Sequence, residues 1–536
     1  MRVLLVEPDY RHGAASFIAK VTAEGAKKKD EETLWYPPLG LMKLATFHKR
    51  RGDYVEFAIG RDKSKFNEQP GLFAGNALWD RIYITTLFTF DWDNVTKTIE
   101  FYKNAVGGSV HKIFVGGIMA SIIPHEVFEE TGIQPITGIL NSPAKVGLEG
   151  DEDIDLLPPD YSLLDPRIYA INNTYYAYTT RGCTRHCPWC GVPDIEPTYQ
   201  EYIDIKPIIN FLREQYGDKP RLKLMDNNVL ASPHLERIVN DLLEMGYGKG
   251  QTIIPSEKRG NNKPPLRVID FNQGLEATHI NEKNIKLLEQ LNIRPMRVAF
   301  DRLSYKKTYI KAITIAQQQG FREFSNYMLY NEKDTPKDLY ERLMINIQLN
   351  EEWGNIPHNN SVGAIYSYPM RFAPIKDTSP LKQNRSRDYS PEPPTEDYDY
   401  LNDAVWVKRF TRNIEVMKGA NHGAIPPRVD YAKRAIGRNY EEFIANLYMP
   451  EELLRNRNDH EEDLSEYGDA PERKRPPKDN KVPEFREFIL RLLKKQDAAF
   501  KEFHDAVAPC SKEAVKKALP QCKDEEVKEW LQWYLK

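Results

Sequence analysis

The stretch Arg181-Gly-Cys-Thr-Arg-His-Cys-Pro-Trp-Cys-Gly191 gathers three of the chain's five cysteines, Cys183, Cys187 and Cys190, into eleven residues. Three thiolates at spacings of three and two residues, in a loop after the strand-like run Tyr175–Thr180, can wrap around one inorganic centre. Iron–sulfur clusters are held by such closely spaced cysteine loops, normally with four ligands. This loop offers three, and Cys510 and Cys522 lie hundreds of residues away. A cluster held here would therefore keep one iron open to an outside ligand. The alternative is a structural zinc ion, which takes four tetrahedral ligands, commonly as two separated pairs. His186 is the nearest fourth donor, but it directly precedes Cys187, and adjacent residues seldom converge on one ion. A zinc-stabilised binding module without catalysis is the corresponding non-enzymatic reading.

Working outward, 536 residues are too many for one ordinary domain and suggest two or three. Lys and Arg number 75 against 78 Asp and Glu, a net charge of −3, which makes nucleic acid an unexpected partner. No apolar run approaches the roughly 18 residues that a spanning helix requires, so no membrane partner is expected. The opening Met1-Arg-Val-Leu-Leu-Val-Glu7 turns acidic too soon for a secretory signal. Five cysteines in so long a chain do not make a disulfide framework. A reducing, cytoplasmic setting is the expectation.

Upstream, apolar runs at Val3–Val6, Val55–Ile59, Ile82–Thr85, Lys112–Val115 and Ile136–Leu140 alternate with helical periodicity at Leu39–Arg51 and Val95–Ala105. Such alternation predicts a Rossmann-like, doubly wound parallel sheet over residues 1–150. Ligands bind at the carboxyl ends of such strands, which makes Pro8, His12, Thr86, Gly116 and Gly117 candidates for lining a crevice. The segment Asn141–Asn173, with Pro143, Gly147, Gly150, Pro158, Pro159 and Pro166 among several acids, reads as an interdomain connection, residues 151–173 being the linker.

Downstream, residues 174–375 show a second alternation. Strands are expected at Tyr175–Thr180, Arg221–Met225, Leu266–Phe271, Met296–Phe300, Glu323–Leu329 and Ser361–Ser367. Helices are expected between them at Ile205–Tyr216, Pro233–Met245, Glu282–Leu291, Lys306–Gln319 and Pro336–Glu352. Six strands and five helices predict a partial (β/α)6 barrel, whose chemistry sits at the carboxyl ends of its strands. Residues 376–455 read as an exposed loop and a helical extension, with helical periodicity at Ala404–Gly419 and Tyr440–Arg455 around a turn at Pro426-Pro427. Dense mixed charge makes 456–482 a linker, and 483–536 are expected to be helical, with Phe485, Phe488, Ile489 and Leu492 on one packing stripe. The fold class is thus α/β with a mainly helical C-terminal extension.

The cysteine spacing, with Trp189 before the third cysteine, resembles the signature of the radical S-adenosylmethionine (SAM) superfamily, C-x3-C-x-aromatic-C. The resemblance implies a 4Fe-4S cluster on Cys183, Cys187 and Cys190, with SAM chelated at the open iron. It implies reductive cleavage of SAM to a 5′-deoxyadenosyl radical, chemistry that belongs to the cofactor. An external one-electron reductant of flavodoxin or ferredoxin type is implied too, and a small-molecule or peptide substrate. By the same resemblance Trp189 sits near the adenine, and Asp226 and Asn227, after the second barrel strand, take the place of a motif that binds the SAM amino group. The family's glycines are missing there, so position alone carries that assignment. Asn272, Gln273, Asp301 and Asn326, at or within later strands, are implied as further SAM contacts.

Residues Val3-Leu-Leu-Val-Glu-Pro8, Tyr36-Pro-Pro-Leu-Gly-Leu41 and Val115-Gly-Gly117 resemble the cobalamin-binding-type domain that often precedes such a barrel. The frequent Asp-x-His-x-x-Gly motif of that domain is replaced by Pro8-Asp-Tyr-Arg-His-Gly13, which does not fit it; His12 is a residue that could approach cobalt, with a surface-loop histidine as the alternative. The resemblance implies cobalamin-dependent methylation of an unactivated carbon; cobalamin-free rearrangement or oxidation is the alternative. With only two cysteines outside the motif, a second cluster is not expected.

Overall fold

The computed structural model describes residues 1–10, 34–65, 78–106, 108–253, 264–355, 363–372, 375, 399–419, 423–455 and 481–536. It is a mixed α/β structure whose chain divides into two compact units. The first comprises Met1–Gln273, Lys286–Arg294 and Pro374–Ser386; the second comprises Gly274–Ile285, Pro295–Ala373 and Arg387–Lys536.

The first unit opens with a four-stranded sheet of β1 (Arg2–Glu7), β2 (Tyr54–Ile59), β3 (Arg81–Thr86) and β4 (Ile113–Gly117), in the order β2-β1-β3-β4. Every pairing is parallel. Because side chains alternate along a strand, β1 divides its apolar run between two cores. Leu4 and Val6 join Val95, Ile99 and Tyr102 of the helix Trp92–Ala105. Val3 and Leu5 join Leu41, Leu44 and Phe47 of the helix Leu39–Arg50. All four β1 side chains are fully buried, at about 1.5–3 kcal/mol apiece relative to exposure.

The fifth strand expected at Ile136–Leu140 is not formed. Only Ile136 bridges to Gly116, because Pro135 just before it has no N–H to give a ladder and Gly138 turns the chain at φ +72°.

The same unit holds a second parallel sheet, ordered β5 (Thr174–Ala177), β6 (Arg221–Leu224), β7 (Val268–Phe271). The helices Lys206–Tyr216 and Leu235–Glu244 lie between these strands in sequence. Register aligns Tyr176 with Lys223, and Lys223 with Asp270. Leu222, Leu224, Ile269 and Phe271 are buried on the alternate positions.

The second unit holds β8 (Met296–Ala299), β9 (Glu323–Tyr330) and β10 (Ala364–Arg371), again parallel, with β9 central. The helix Pro336–Glu352 begins with a capping box, Thr335 and Asp338 satisfying each other's backbone N–H. Farther along, the expected helix through Arg455 is broken at Pro450 into Tyr440–Tyr448 and Glu451–Arg455. The helix Val429–Ile436 follows the Pro426-Pro427 turn, where the sequence pattern marked only the turn. In the C-terminal helices the stripe Phe485, Phe488, Ile489 and Leu492 is buried. Phe488 stacks on Trp530 with ring centroids 5.7 Å apart. The linker expected at 456–482 lies almost wholly outside the described residues. No helix among the described residues is long and apolar enough to cross a membrane.

Candidate functional site

The cysteine loop leaves the carboxyl end of β5 and is closed by a short antiparallel bridge. Arg181 N–H donates to Gln200 O at 3.1 Å, and Gln200 N–H to Arg181 O at 2.9 Å. Behind this bridge, Thr179 and Thr180 are tied to Asp226, just past the end of β6. Both backbone N–H groups and both hydroxyls donate to Asp226 Oδ1, at 2.5–2.9 Å. Asp226 Oδ2 is buried without a hydrogen-bond partner. Burial pushes the Asp226 carboxyl up to about 6, the Thr179 and Thr180 donors opposing it. Asp226 is thus placed as the anchor of the loop's stem rather than at its mouth.

Glu196 holds the other shoulder. Its carboxylate accepts from Arg181 Nη1 at 2.7 Å, from the Gly182 N–H at 2.5 Å and from Asn227 Nδ2 at 2.8 Å. Gly182 has φ +73°, and a Cβ there would lie 2.8 Å from Thr198 O and 2.9 Å from Glu196 O. Only glycine fits that turn without displacing backbone. Arg181 also reaches Asp155, through Nε at 2.9 Å and through Nη2, and stacks on the Tyr178 ring, its guanidinium carbon 3.4 Å from the centroid. Lys43 Nζ completes the cluster at 2.8 Å from Asp155 Oδ1. Burial opposes ionisation of Asp155, but Lys43 and Arg181 outweigh it and hold the carboxyl below its usual range. Burial draws the Lys43 ammonium below its usual range, against the pull of Asp155. Neither Glu196 nor Lys43 was marked by the sequence. Arg181 and Glu196 bracket the loop with opposite charge, a usable signal; Lys43 and Asp155 are 112 residues apart and gave none.

Within the loop, Cys183, Cys187 and Cys190 are half-buried, as is Trp189, while Thr184, Arg185, His186 and Pro188 are exposed. Cys190 N–H donates to Cys187 O at 3.0 Å. The Cys183 sulfur accepts from the Arg185 N–H at 3.4 Å and from Asn228 Nδ2 at 3.5 Å. Among the described residues, no three His, Cys, Asp or Glu side chains are grouped to hold a metal ion. The four-ligand zinc centre is therefore not assembled, and the three sulfurs do not form such a group either. What fits an iron–sulfur cluster is the donor set: three cysteine sulfurs on one partly open loop, one of them receiving the N–H bonds that tune cluster ligands.

The loop flanks a cavity of about 470 Å³, within the usual range for small-molecule sites. Its walls include Thr85, Gly116 and Gly117 at the carboxyl ends of β3 and β4, and Arg181, Gly191 and Asn227 beside the cysteine loop. Gly191 packs closely on Ile122, since a Cβ there would come within 2.8 Å of its Cδ1. Gln273 lines the same cavity. Of the crevice candidates, Gly116 and Gly117 line this cavity. Gly117 also has an internal reason to be glycine: at φ +104°, a Cβ would lie 2.3 Å from Thr86 O. Thr86 is buried, its hydroxyl donating to Gly116 O and accepting from Ala120 N–H, each at 2.9 Å. Pro8 follows β1 and is buried, and His12 lies outside the described residues.

The remaining candidates separate. Asn272 Oδ1 accepts from Tyr36 OH at 2.9 Å, and that hydroxyl accepts from Lys223 Nζ at 2.9 Å. Asp301, in the second unit, accepts from Leu329 N–H at 3.0 Å, and burial raises its carboxyl above the usual range. Asn326 is wholly buried and engaged on both sides: Nδ2 donates to Val298 O at 2.7 Å, and Oδ1 accepts from Asn346 Nδ2 at 3.1 Å. The structure thus places Asn326 in the interior, and it is not among the residues lining the 470 Å³ cavity.

No protein-family model matches this chain, and no curated protein matches it. Among solved structures it is similar to the apo, selenomethionine-labelled cobalamin-dependent S-adenosylmethionine radical enzyme OxsB. The TM-score is 0.42 and the identity 13%, over 100% of this chain and 78% of that one.

Proposed function

We propose that this protein is a radical SAM enzyme in which Cys183, Cys187 and Cys190 hold a 4Fe-4S cluster and leave one iron for SAM. The observation that carries the reading is the place of the cysteine loop, pinned at the carboxyl end of a parallel strand and beside the 470 Å³ cavity. When bound, the cluster supplies the electron that cleaves SAM to a 5′-deoxyadenosyl radical, which abstracts hydrogen from an unactivated C–H bond.

The chain's own residues frame that chemistry. Asp226 fixes the stem through Thr179 and Thr180, and Glu196 fixes the shoulder through Gly182 and Arg181. Asn227, tied to Glu196 through its amide nitrogen, keeps its carbonyl oxygen for the SAM ammonium. Trp189 offers a face to the adenine, and Gln273 a polar group from the cavity wall. The aligned Lys223 and Asp270, with Tyr36 bonded to Lys223 and to Asn272, suit a polar small molecule or peptide as substrate. In this reading the strand series β5 to β10 is the partial (β/α)6 barrel, and the four-stranded sheet is the cobalamin-binding-type domain. Gly116 and Gly117, on the cavity wall, would admit cobalamin close to the backbone, and cobalamin would supply methyl transfer to carbon.

Anaerobic reconstitution with iron and sulfide, followed by SAM and dithionite, tests the first claim: 5′-deoxyadenosine is expected, and its absence overturns the reading. Uptake of hydroxocobalamin, read as a corrin absorption spectrum of the desalted protein, tests the second. A colourless product removes methyl transfer and leaves rearrangement or oxidation.

A further inference from the structure

Three consecutive polar residues follow β6, and each meets a different part of the cysteine loop. Asp226 takes the stem through Thr179 and Thr180, and Asn227 takes the shoulder through Glu196. Asn228 reaches a cysteine itself, its Nδ2 donating to Cys183 Sγ at 3.5 Å. Holding the chain explains the first two bonds but not the third. A thiol sulfur is a weak acceptor, so a buried amide gains little from it. A thiolate bound to metal carries negative charge, and the same bond is then charge-assisted.

The donor is also fixed in place. Asn228 is 3% exposed. Its backbone carbonyl accepts from Tyr199 OH at 2.9 Å and from Ala231 N–H at 3.3 Å, the latter within the short turn Val229–Ala231. Tyr199 directly precedes Gln200 of the bridge that closes the loop, so the returning leg of the loop braces the residue that touches its first cysteine. The Cys183 sulfur accepts from the Arg185 N–H as well, at 3.4 Å. That second bond belongs to the main chain and survives any side-chain change; the Asn228 bond does not.

We infer that Asn228 is a positioning residue for electron transfer, resting on the iron–sulfur reading above. Its N–H draws electron density from the Cys183 sulfur and raises the potential at which the cluster takes one electron from the external reductant. Hydrogen bonds to ligand sulfurs are among the levers that set cluster potentials. SAM cleavage cannot begin before that electron arrives, so this amide governs how readily the reaction starts.

The test is a redox titration of the reconstituted full-length protein with dithionite and viologen mediators, the reduced cluster being read by electron paramagnetic resonance. Asn228→Leu keeps the volume and removes the donor. Its midpoint should move to lower potential, the reduced-to-oxidised ratio at the native midpoint falling about fivefold. Asn228→Asp, with the native shape but an acceptor in place of the amide, should move it in the same direction. Tyr199→Phe, which keeps the donor and loosens its brace, should move it less. A native protein that assembles no cluster overturns the iron–sulfur reading and this inference with it. A native cluster whose midpoint is unchanged in Asn228→Leu and Asn228→Asp overturns this inference alone. Loss of the cluster from both variants does so too, because it makes Asn228 a support of the loop only.

Discussion

Asn227 and Asn326 are the same residue type at comparable places, one just past β6 and one within β9, and the structure puts them to opposite uses. Asn326 is wholly buried, and both ends of its amide are taken by Val298 and Asn346. Asn227 spends its nitrogen on Glu196 and lines the main cavity. A polar residue on a strand is therefore scaffold when the protein satisfies it fully, and available for a ligand when it does not. Sequence cannot show which, because Asn346 and Glu196 lie 20 and 31 residues from their partners.

The comparison can be broken at four places. The largest effect belongs to the cysteines: Cys187→Ala should reduce 5′-deoxyadenosine formation to background, measured chromatographically after anaerobic reconstitution. Next, Asn326→Ala should lower unfolding free energy by about 3 kcal/mol, since Val298 O and Asn346 Nδ2 each lose this partner beside a new void, Nδ2 keeping only Ser367 Oγ at 2.8 Å. Chemical denaturation followed by fluorescence measures it, and a loss within the range of a surface change would show that the amide pair is not scaffold.

Asp226 gives a pH signature. Its folded carboxyl titrates at about 6, above its ordinary 3.8, so the folded state holds the proton more tightly than the unfolded chain. The contribution is fully present below about pH 4 and is lost as pH rises through about 6, a difference of about 3 kcal/mol. Asp226→Asn cannot titrate, so the stability gap between native protein and variant should shift by that amount from acid to neutral pH. A gap that stays constant would show that the carboxyl is not held in this environment. The smallest effect is expected at Asn227→Ala, under about 1 kcal/mol in stability, with SAM binding weakened about tenfold instead. Loss of stability without loss of SAM affinity would turn Asn227 into a second Asn326.

Much of the fold was legible because period and burial agree. The continuous apolar run Val3 to Val6 and the apolar positions of β6 and β7 marked buried strands directly, and the helix Pro336–Glu352 was readable to the residue. Short elements were not. Val429–Ile436 spans eight residues beside a double proline, too few turns to establish a period. Ile136–Leu140 had the apolar content of a strand, but Pro135 and Gly138 decided against it. At the site, the cysteines and Trp189 were visible as a local motif. Glu196, Lys43 and Asp155 were not, since their meaning comes from partners brought together only by the fold.

The bridge between Arg181 and Gln200 has a consequence for the life of the protein in air. The collar around the thiols is closed by main-chain bonds and by the Glu196 carboxylate. On the proposed reading, oxygen that strips a cluster would leave those bonds in place, and fresh iron and sulfide would refill the same receptacle.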